Sequence, residues 1–131
     1  MQLGWHVVAG VVMVVTTNGS WVPITLGMVG IDLIDHGVWG AVKIRPFKIK
    51  NIWRTGTSLQ KKMEAQLYFF HTFEVYLILA ILSYRFFWGR WFMLAYSFHL
   101  LMDLVWYLRI RKNWNWLRKW FLCWWIQRYL T

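Results

Sequence analysis

The sequence places its histidines and most of its acidic residues within long apolar stretches. All four histidines and four of the five acids lie there, and only Glu64 lies outside. An ionisable side chain at bilayer depth costs about 2.5–3.5 kcal/mol even on lenient insertion scales. Eight such groups would be too costly unless they satisfied one another, so the sequence predicts one shared polar site. The eight residues are His6, Asp32, Asp35, His36, His71, Glu74, His99 and Asp103.

The spacing of these residues puts them on shared helix faces. Side chains three and four residues apart are neighbours on one side of a helix. Helix bundles build di-metal sites from such carboxylate and histidine pairs on facing helices. The spacings are i, i+3 and i+4 for Asp32, Asp35 and His36, i and i+3 for His71 and Glu74, and i and i+4 for His99 and Asp103.

These donor types indicate a metal site. Nitrogen and oxygen donors without thiolate suit zinc, iron or manganese, and either one or two ions could be bound. The single cysteine, Cys123, excludes a multi-cysteine metal site. Asp35 and Glu74 could orient a histidine or act as a catalytic general base. His6 could instead lie at the interface near the start of a span. The metal-ligand candidates are His6, Asp32, His36, His71, His99 and Asp103.

Four apolar stretches predict an all-α integral membrane protein with a bundle of four transmembrane helices. The chain is 59% hydrophobic and 15% charged, which nearly excludes an ordinary soluble domain. Each stretch could cross or nearly cross a bilayer as a helix. Residues 1–108 would form this transmembrane domain. The stretches are Leu3–Val15, Trp21–Val42, Ala65–Tyr84 and Trp91–Leu108.

Basic residues are concentrated in one link and in the tail. The link 43–64 holds seven and the tail 109–131 holds six, whereas the turn Arg85–Arg90 holds two. Positive-inside bias places the link, the tail and both termini in the cytoplasm of a multi-pass inner-membrane protein. The tail also carries five tryptophans and predicts an interfacial helix. Despite a net charge of +10, the alternation of basic and apolar segments favours membrane lipids over nucleic acid as partner.

The string Gly30-Ile31-Asp32-Leu33-Ile34-Asp35-His36 resembles the PD(I/L)DH element of the predicted membrane-bound metal-dependent hydrolases, a superfamily that includes the LexA-regulated inner-membrane type. An early His6, the mid-chain His71-Thr72-Phe73-Glu74 and the late HxxxD of His99–Asp103 follow in the same order, over about residues 5 to 108. The resemblance implies a membrane-embedded metal site. Its HxxxD pair is similar to that of zinc-dependent phospholipase C.

Two classes of function remain open at this point. The first is a metal-dependent hydrolase of a lipid or lipid-linked phosphoester, because a bound metal makes water a nucleophile near neutral pH. The basic residues of Lys43–Lys62 would attract the substrate phosphate. The second is a small non-catalytic subunit of a larger membrane complex, or a homo-oligomer, with a structural metal or a haem between His71 and His99. Metal content and a Soret band would separate these.

Overall fold

The computed structural model describes residues 3–38, 67–110, 112 and 114–130. Every regular element within these ranges is helical, which confirms the all-α class. The basic link 43–64, with the charges that set the predicted topology, lies outside the described residues.

The first two helices form a hairpin. Helix α1 spans Leu3–Thr17 and is followed by Asn18, which has a φ of 47°. Asparagine tolerates this left-handed conformation better than most residues. Helix α2, residues 21–38, is π-helical over Leu26–Gly30 and again over Leu33–Val38. Single π-helical turns are rare and often lie at functional sites.

The third apolar stretch is not one helix. A 3-10 turn, Phe69–His71, is followed by Thr72 in an extended conformation. Helix α3 begins after it and spans Phe73–Ser83. The prediction of a continuous helix over Ala65–Tyr84 was therefore wrong in its described part.

Side chains from neighbouring helices satisfy the backbone at this break. The Phe70 amide donates a hydrogen bond to Asp35 Oδ2 at 2.8 Å, and the Phe70 carbonyl accepts one from the Tyr96 hydroxyl. Thr72 Oγ1 donates to the Phe69 carbonyl at 2.8 Å. Tertiary partners thus replace the helical hydrogen bonds that the sequence pattern assumes.

Helix α4 runs over Phe87–Val105 and continues as a π-helical segment to Ile110. It starts four residues before the predicted Trp91, so the turn after α3 is short. Within the described residues, Phe87–Arg109 is the one helix long and apolar enough to cross a membrane, with 23 residues. Gly4–Thr17 and Phe73–Ser83 are apolar but shorter. The described part of the chain therefore contains one helix of spanning length, where the sequence predicts four across the chain.

The tail folds back onto the helices in two segments. A 3-10 helix, Trp114–Trp120, precedes helix α5, Leu122–Leu130. Trp125 is 1% exposed, and its Nε1 donates to the Lys119 carbonyl at 2.9 Å. The Arg128 guanidinium lies 5.4 Å from the centre of the Trp124 ring.

Helices α2 and α4 approach each other closely at Gly27. A Cβ atom there would lie 2.6 Å from the Phe92 carbonyl oxygen and 2.9 Å from Ala95 Cβ. Ile24, Met28 and Ala95 form a fully buried cluster beside this contact. The absence of a side chain at Gly27 therefore sets how near the N-terminal half of α2 comes to α4.

Many large apolar side chains of the described residues are exposed, and most of the described histidines and aspartates are buried. Val15 is 75% exposed, Ile81 74% and Phe87 66%, whereas His6 and His99 are completely buried. Charged or titratable groups beneath a surface of this kind are unusual in water-soluble proteins.

Candidate metal centre

Four side chains from three elements converge in the interior. Asp32 comes from α2, His71 from the 3-10 turn, and His99 and Asp103 from successive turns of α4. One donor atom from each lies within 4.8 Å of every other, and all four residues are buried. These residues are named the metal group below. All four are among the ligands that the sequence predicts, and together they could hold a metal ion.

The tautomers of the two histidines follow from their outer partners. His71 Nδ1 lies 2.9 Å from Asp35 Oδ2, and His99 Nδ1 lies 2.8 Å from the Met28 carbonyl oxygen. Carbonyl and carboxylate oxygens accept hydrogen bonds, so each Nδ1 carries the hydrogen and donates. In a neutral ring, Nε2 then presents a lone pair.

Both lone pairs point into the same small space. His71 Nε2 and His99 Nε2 lie 3.1 Å apart. Asp103 Oδ2 lies 3.3 Å from His71 Nε2 and 3.7 Å from His99 Nε2. Asp32 Oδ1 lies 3.6 and 3.7 Å from the same two nitrogens. Four electron-rich atoms therefore face one another.

A cation removes this repulsion. A single proton can bridge only one of the pairs, whereas a metal ion contacts all four donors. Two donors bound about 2.0–2.2 Å from a tetrahedral zinc are roughly 3.3–3.6 Å apart. The separations that include a histidine nitrogen, 3.1 to 3.7 Å, lie around that value, so the donor set could hold a small divalent cation.

Asp35 stands outside the metal group and holds one of its ligands. Its Oδ2 accepts hydrogen bonds from His71 Nδ1 and from the Phe70 amide, and the residue is 2% exposed. Metal-binding histidines commonly donate their second ring nitrogen to a carboxylate that fixes the ring. Of the two roles considered for Asp35, the geometry favours orientation of His71 over service as a base.

His6 lies behind the two carboxylates of the metal group. Its Nδ1 is 3.0 Å from Asp32 Oδ2, and its Nε2 is 3.4 Å from Asp103 Oδ1. These are the carboxylate oxygens that do not face His71 and His99. Neither His6 nitrogen has a well-aligned hydrogen-bond partner among the described residues. His6 therefore sits between both carboxylates, outside the metal group.

His36 lies at the edge of the cluster. Its Nε2 is 3.3 Å from Asp32 Oδ1, and its ring centre is 4.2 Å from that of Tyr68. The side chain is 25% exposed, compared with 9% for Asp32 and 3% or less for His71 and Asp103. Access to the metal group is therefore most direct beside His36.

Glu74 does not join the cluster. Its two carboxylate oxygens accept from the Leu122 amide at 3.0 and 2.9 Å, and Oε1 accepts from the Cys123 amide at 3.4 Å. The carboxylate thus caps the N-terminus of α5, where free amides and the helix dipole favour a negative charge. Its grouping with His71 assumed an unbroken helix, and the extended Thr72 between them separates the two side chains.

Sequence reasoning missed Tyr96 and the Met28 carbonyl. Tyr96 holds the backbone beside His71, and Met28 fixes the tautomer of His99. Tyr96 stands three residues before His99, on the same face of α4, which is a signal that the sequence does carry. A carbonyl acceptor has no sequence signal.

Comparisons with protein-family models, with curated proteins and with solved structures found no match. Function is therefore inferred from the side chains themselves.

Proposed function

We propose that this protein is a membrane-embedded metal-binding protein that hydrolyses a phosphoester of a lipid or lipid-linked molecule. One observation carries the proposal. His71 Nε2 and His99 Nε2 lie 3.1 Å apart, with carboxylates of Asp32 and Asp103 beside them. A metal ion would contact all four donors at once, whereas a proton on either Nε2 would bridge only one pair.

A membrane setting is supported by the distribution of side chains. The outer surfaces of α1, α3 and α4 carry many exposed apolar side chains, while His6, His71 and His99 and the aspartates of the described residues are buried. At the break before α3, His71 and Thr72 are buried and both backbone groups of Phe70 have side-chain partners, the condition under which irregular backbone is tolerated at membrane depth. We propose four crossings, with the basic link 43–64 and both termini in the cytoplasm of a cell inner membrane.

The metal is proposed to be zinc, iron or manganese. Two imidazoles and two carboxylates without a thiolate suit these ions. Asp32, Asp35 and Asp103 bring three buried carboxylates together, and a divalent ion offsets two of those charges. His6 and His36 flank Asp32 on its other sides and could serve a second ion.

Catalysis would use the exposed edge of the cluster. When bound, the metal supplies a hydroxide nucleophile near neutral pH. Asp35 holds His71 in the orientation that leaves Nε2 free for the ion. His36 and Tyr68 line the approach for a phosphoester. The seven basic residues of the link 43–64 are proposed to attract the substrate phosphate.

The alternative is a non-catalytic subunit of a larger membrane complex. Large exposed tryptophans favour it, because Trp5, Trp21 and Trp114 are 57%, 68% and 66% exposed and could pack against a partner chain. A haem with His71 and His99 as its axial ligands does not fit. Axial ligands lie on opposite faces of the macrocycle, and two nitrogens 3.1 Å apart leave no room for it.

The test measures metal content and phosphodiester turnover in one detergent preparation. His99→Ala and Asp103→Asn are expected to lose both the metal and turnover. Glu74→Gln is the matched control, because it removes a carboxylate charge at the α5 cap and should keep the metal. Full metal occupancy in His99→Ala would contradict the proposed site. Metal without turnover, in a protein that purifies only with other chains, would favour the subunit.

A further inference from the structure

An apolar groove lies on the outer surface, away from the metal group. Its volume is about 220 Å³, and it runs between the start of α2 and the turn that joins α3 to α4. Along both helices it is about two turns, roughly 10 Å, from Asp32 and His99. Its walls include Val22, Pro23, Leu26, Ser83, Trp88 and Phe92.

The lining has the character of a lipid-facing surface. Leu26 is 53% exposed and Trp88 is 58% exposed, so the groove opens outward. Trp21 and Tyr84, at 68% and 75%, stand beside it. Exposed tryptophan and tyrosine at helix ends are typical of the boundary between acyl chains and headgroups.

Two arginines stand at this end of the molecule, in a described segment of the chain that contains no acidic residue. Arg85 and Arg90 flank the groove residues Trp88 and Gly89 in sequence, and both are exposed. No acidic residue occurs between Glu74 and Asp103. The carboxylates of the described residues are engaged in the cluster or at the α5 cap. These two charges are therefore available to an external anion.

We propose that this groove binds one anionic phospholipid, with an acyl chain along the apolar walls and the headgroup phosphate on Arg85 and Arg90. The inference rests on the membrane location given under the proposed function. An apolar groove whose lining residues lie within a few positions of two arginines in the sequence matches a molecule with a long hydrocarbon chain and a phosphate at its end.

A second copy of the chain suits this surface less well. Two copies meeting across a two-fold axis would bring the same surface patch together, and so would juxtapose their Arg85 and Arg90 charges. The groove walls also offer few polar groups for a protein partner, with Ser83 the single hydroxyl among its lining residues.

The experiment is native mass spectrometry of the full chain in detergent, titrated with phosphatidylglycerol or with phosphatidylcholine of the same acyl chains. The wild-type protein should retain one phosphatidylglycerol. Arg85→Gln with Arg90→Gln should weaken it about thirtyfold, because each arginine near an anionic surface contributes roughly fivefold. Leu26→Trp, which fills the groove, should weaken both lipids. Arg109→Gln with Arg118→Gln removes the same charge elsewhere and should leave the affinity unchanged.

Metal content of the same samples separates this inference from the proposed function. Equal affinity for the two lipids, or equal weakening by the Arg109 and Arg118 control, would overturn the lipid site. So would dimers that Leu26→Trp dissociates while lipid binding is unchanged. A wild-type protein that holds metal and no phosphatidylglycerol overturns the lipid site alone. One that binds phosphatidylglycerol selectively and holds no metal upholds the lipid site and contradicts the metal centre.

Discussion

Replacing Asp35 with asparagine tests whether an outer carboxylate prepares the metal group. Asparagine keeps the shape of the side chain but removes its charge. Asp35 Oδ2 accepts from His71 Nδ1 at 2.9 Å and from the Phe70 amide at 2.8 Å, in a site where the residue is 2% exposed. The substitution therefore weakens one bond to a metal ligand and one to the backbone that carries it.

The size of the effect follows from these two bonds. A hydrogen bond to a charged group contributes about 1 kcal/mol more than one between neutral groups. The two weakened hydrogen bonds together lose about 1–2 kcal/mol. Part of this loss would lower the affinity for the ion, because one of the two bonds holds His71. Removal of a carboxylate that orients a ligand typically lowers metal affinity about 10–100-fold. We expect a loss of about tenfold for Asp35→Asn, with the fold intact.

The assay is a competition titration of zinc against a chromophoric chelator, with both proteins in the same detergent. Glu74→Gln is the matched control, because it makes the same carboxylate-to-amide change at a site that caps α5. Its affinity should stay within about twofold of wild type, since amide capping groups remain effective. Unchanged zinc affinity in Asp35→Asn, or an equal loss in Glu74→Gln, would refute the assignment of Asp35 to His71.

Further predictions concern packing, the tail and topology. Gly27→Ala should lower the free energy of unfolding by about 1–3 kcal/mol in thermal melts, because its Cβ would meet the Phe92 carbonyl; an unchanged melting temperature would show that α2 can move away. Trp125→Ala should make the tail sensitive to protease, since it removes the buried anchor of α5; equal resistance would contradict this. Cys123, the single cysteine and an exposed one, should react with an impermeant maleimide only from the cytoplasmic side, and labelling from outside would reverse the topology.

The convergence of Asp32, His71, His99 and Asp103 could be predicted because burial of isolated charges is costly. This cost depends only on residue types and on their apolar context. It does not depend on the detailed path of the backbone, so the predicted convergence holds despite the break before α3. For the same reason, the cost of burial could not distinguish the metal-ligand candidates from the residues that hold those ligands in place, as the positions of Asp35 and His6 show.

The predictions of a continuous third helix and of Glu74 in the cluster were wrong because both took the apolar pattern to form a regular helix. Glu74 was assigned to the site from its spacing to His71, and that spacing has no meaning across the extended Thr72. The break itself depends on Asp35 and Tyr96, which are distant in sequence. The local apolar pattern contains no information about such partners. Neither the break nor the role of Glu74 as a helix cap could therefore be predicted from it.

In the proposed membrane setting, the break at Phe69–Thr72 also bears on how the chain would insert. The two backbone groups of Phe70 are bonded to Asp35, which precedes them in the chain, and to Tyr96, which follows. A bare carbonyl in hydrocarbon costs several kcal/mol, and the Tyr96 hydroxyl does not exist until α4 has been synthesised. We therefore expect the third segment to wait at the interface and to insert together with α4 as a hairpin, against an α2 that is already in place.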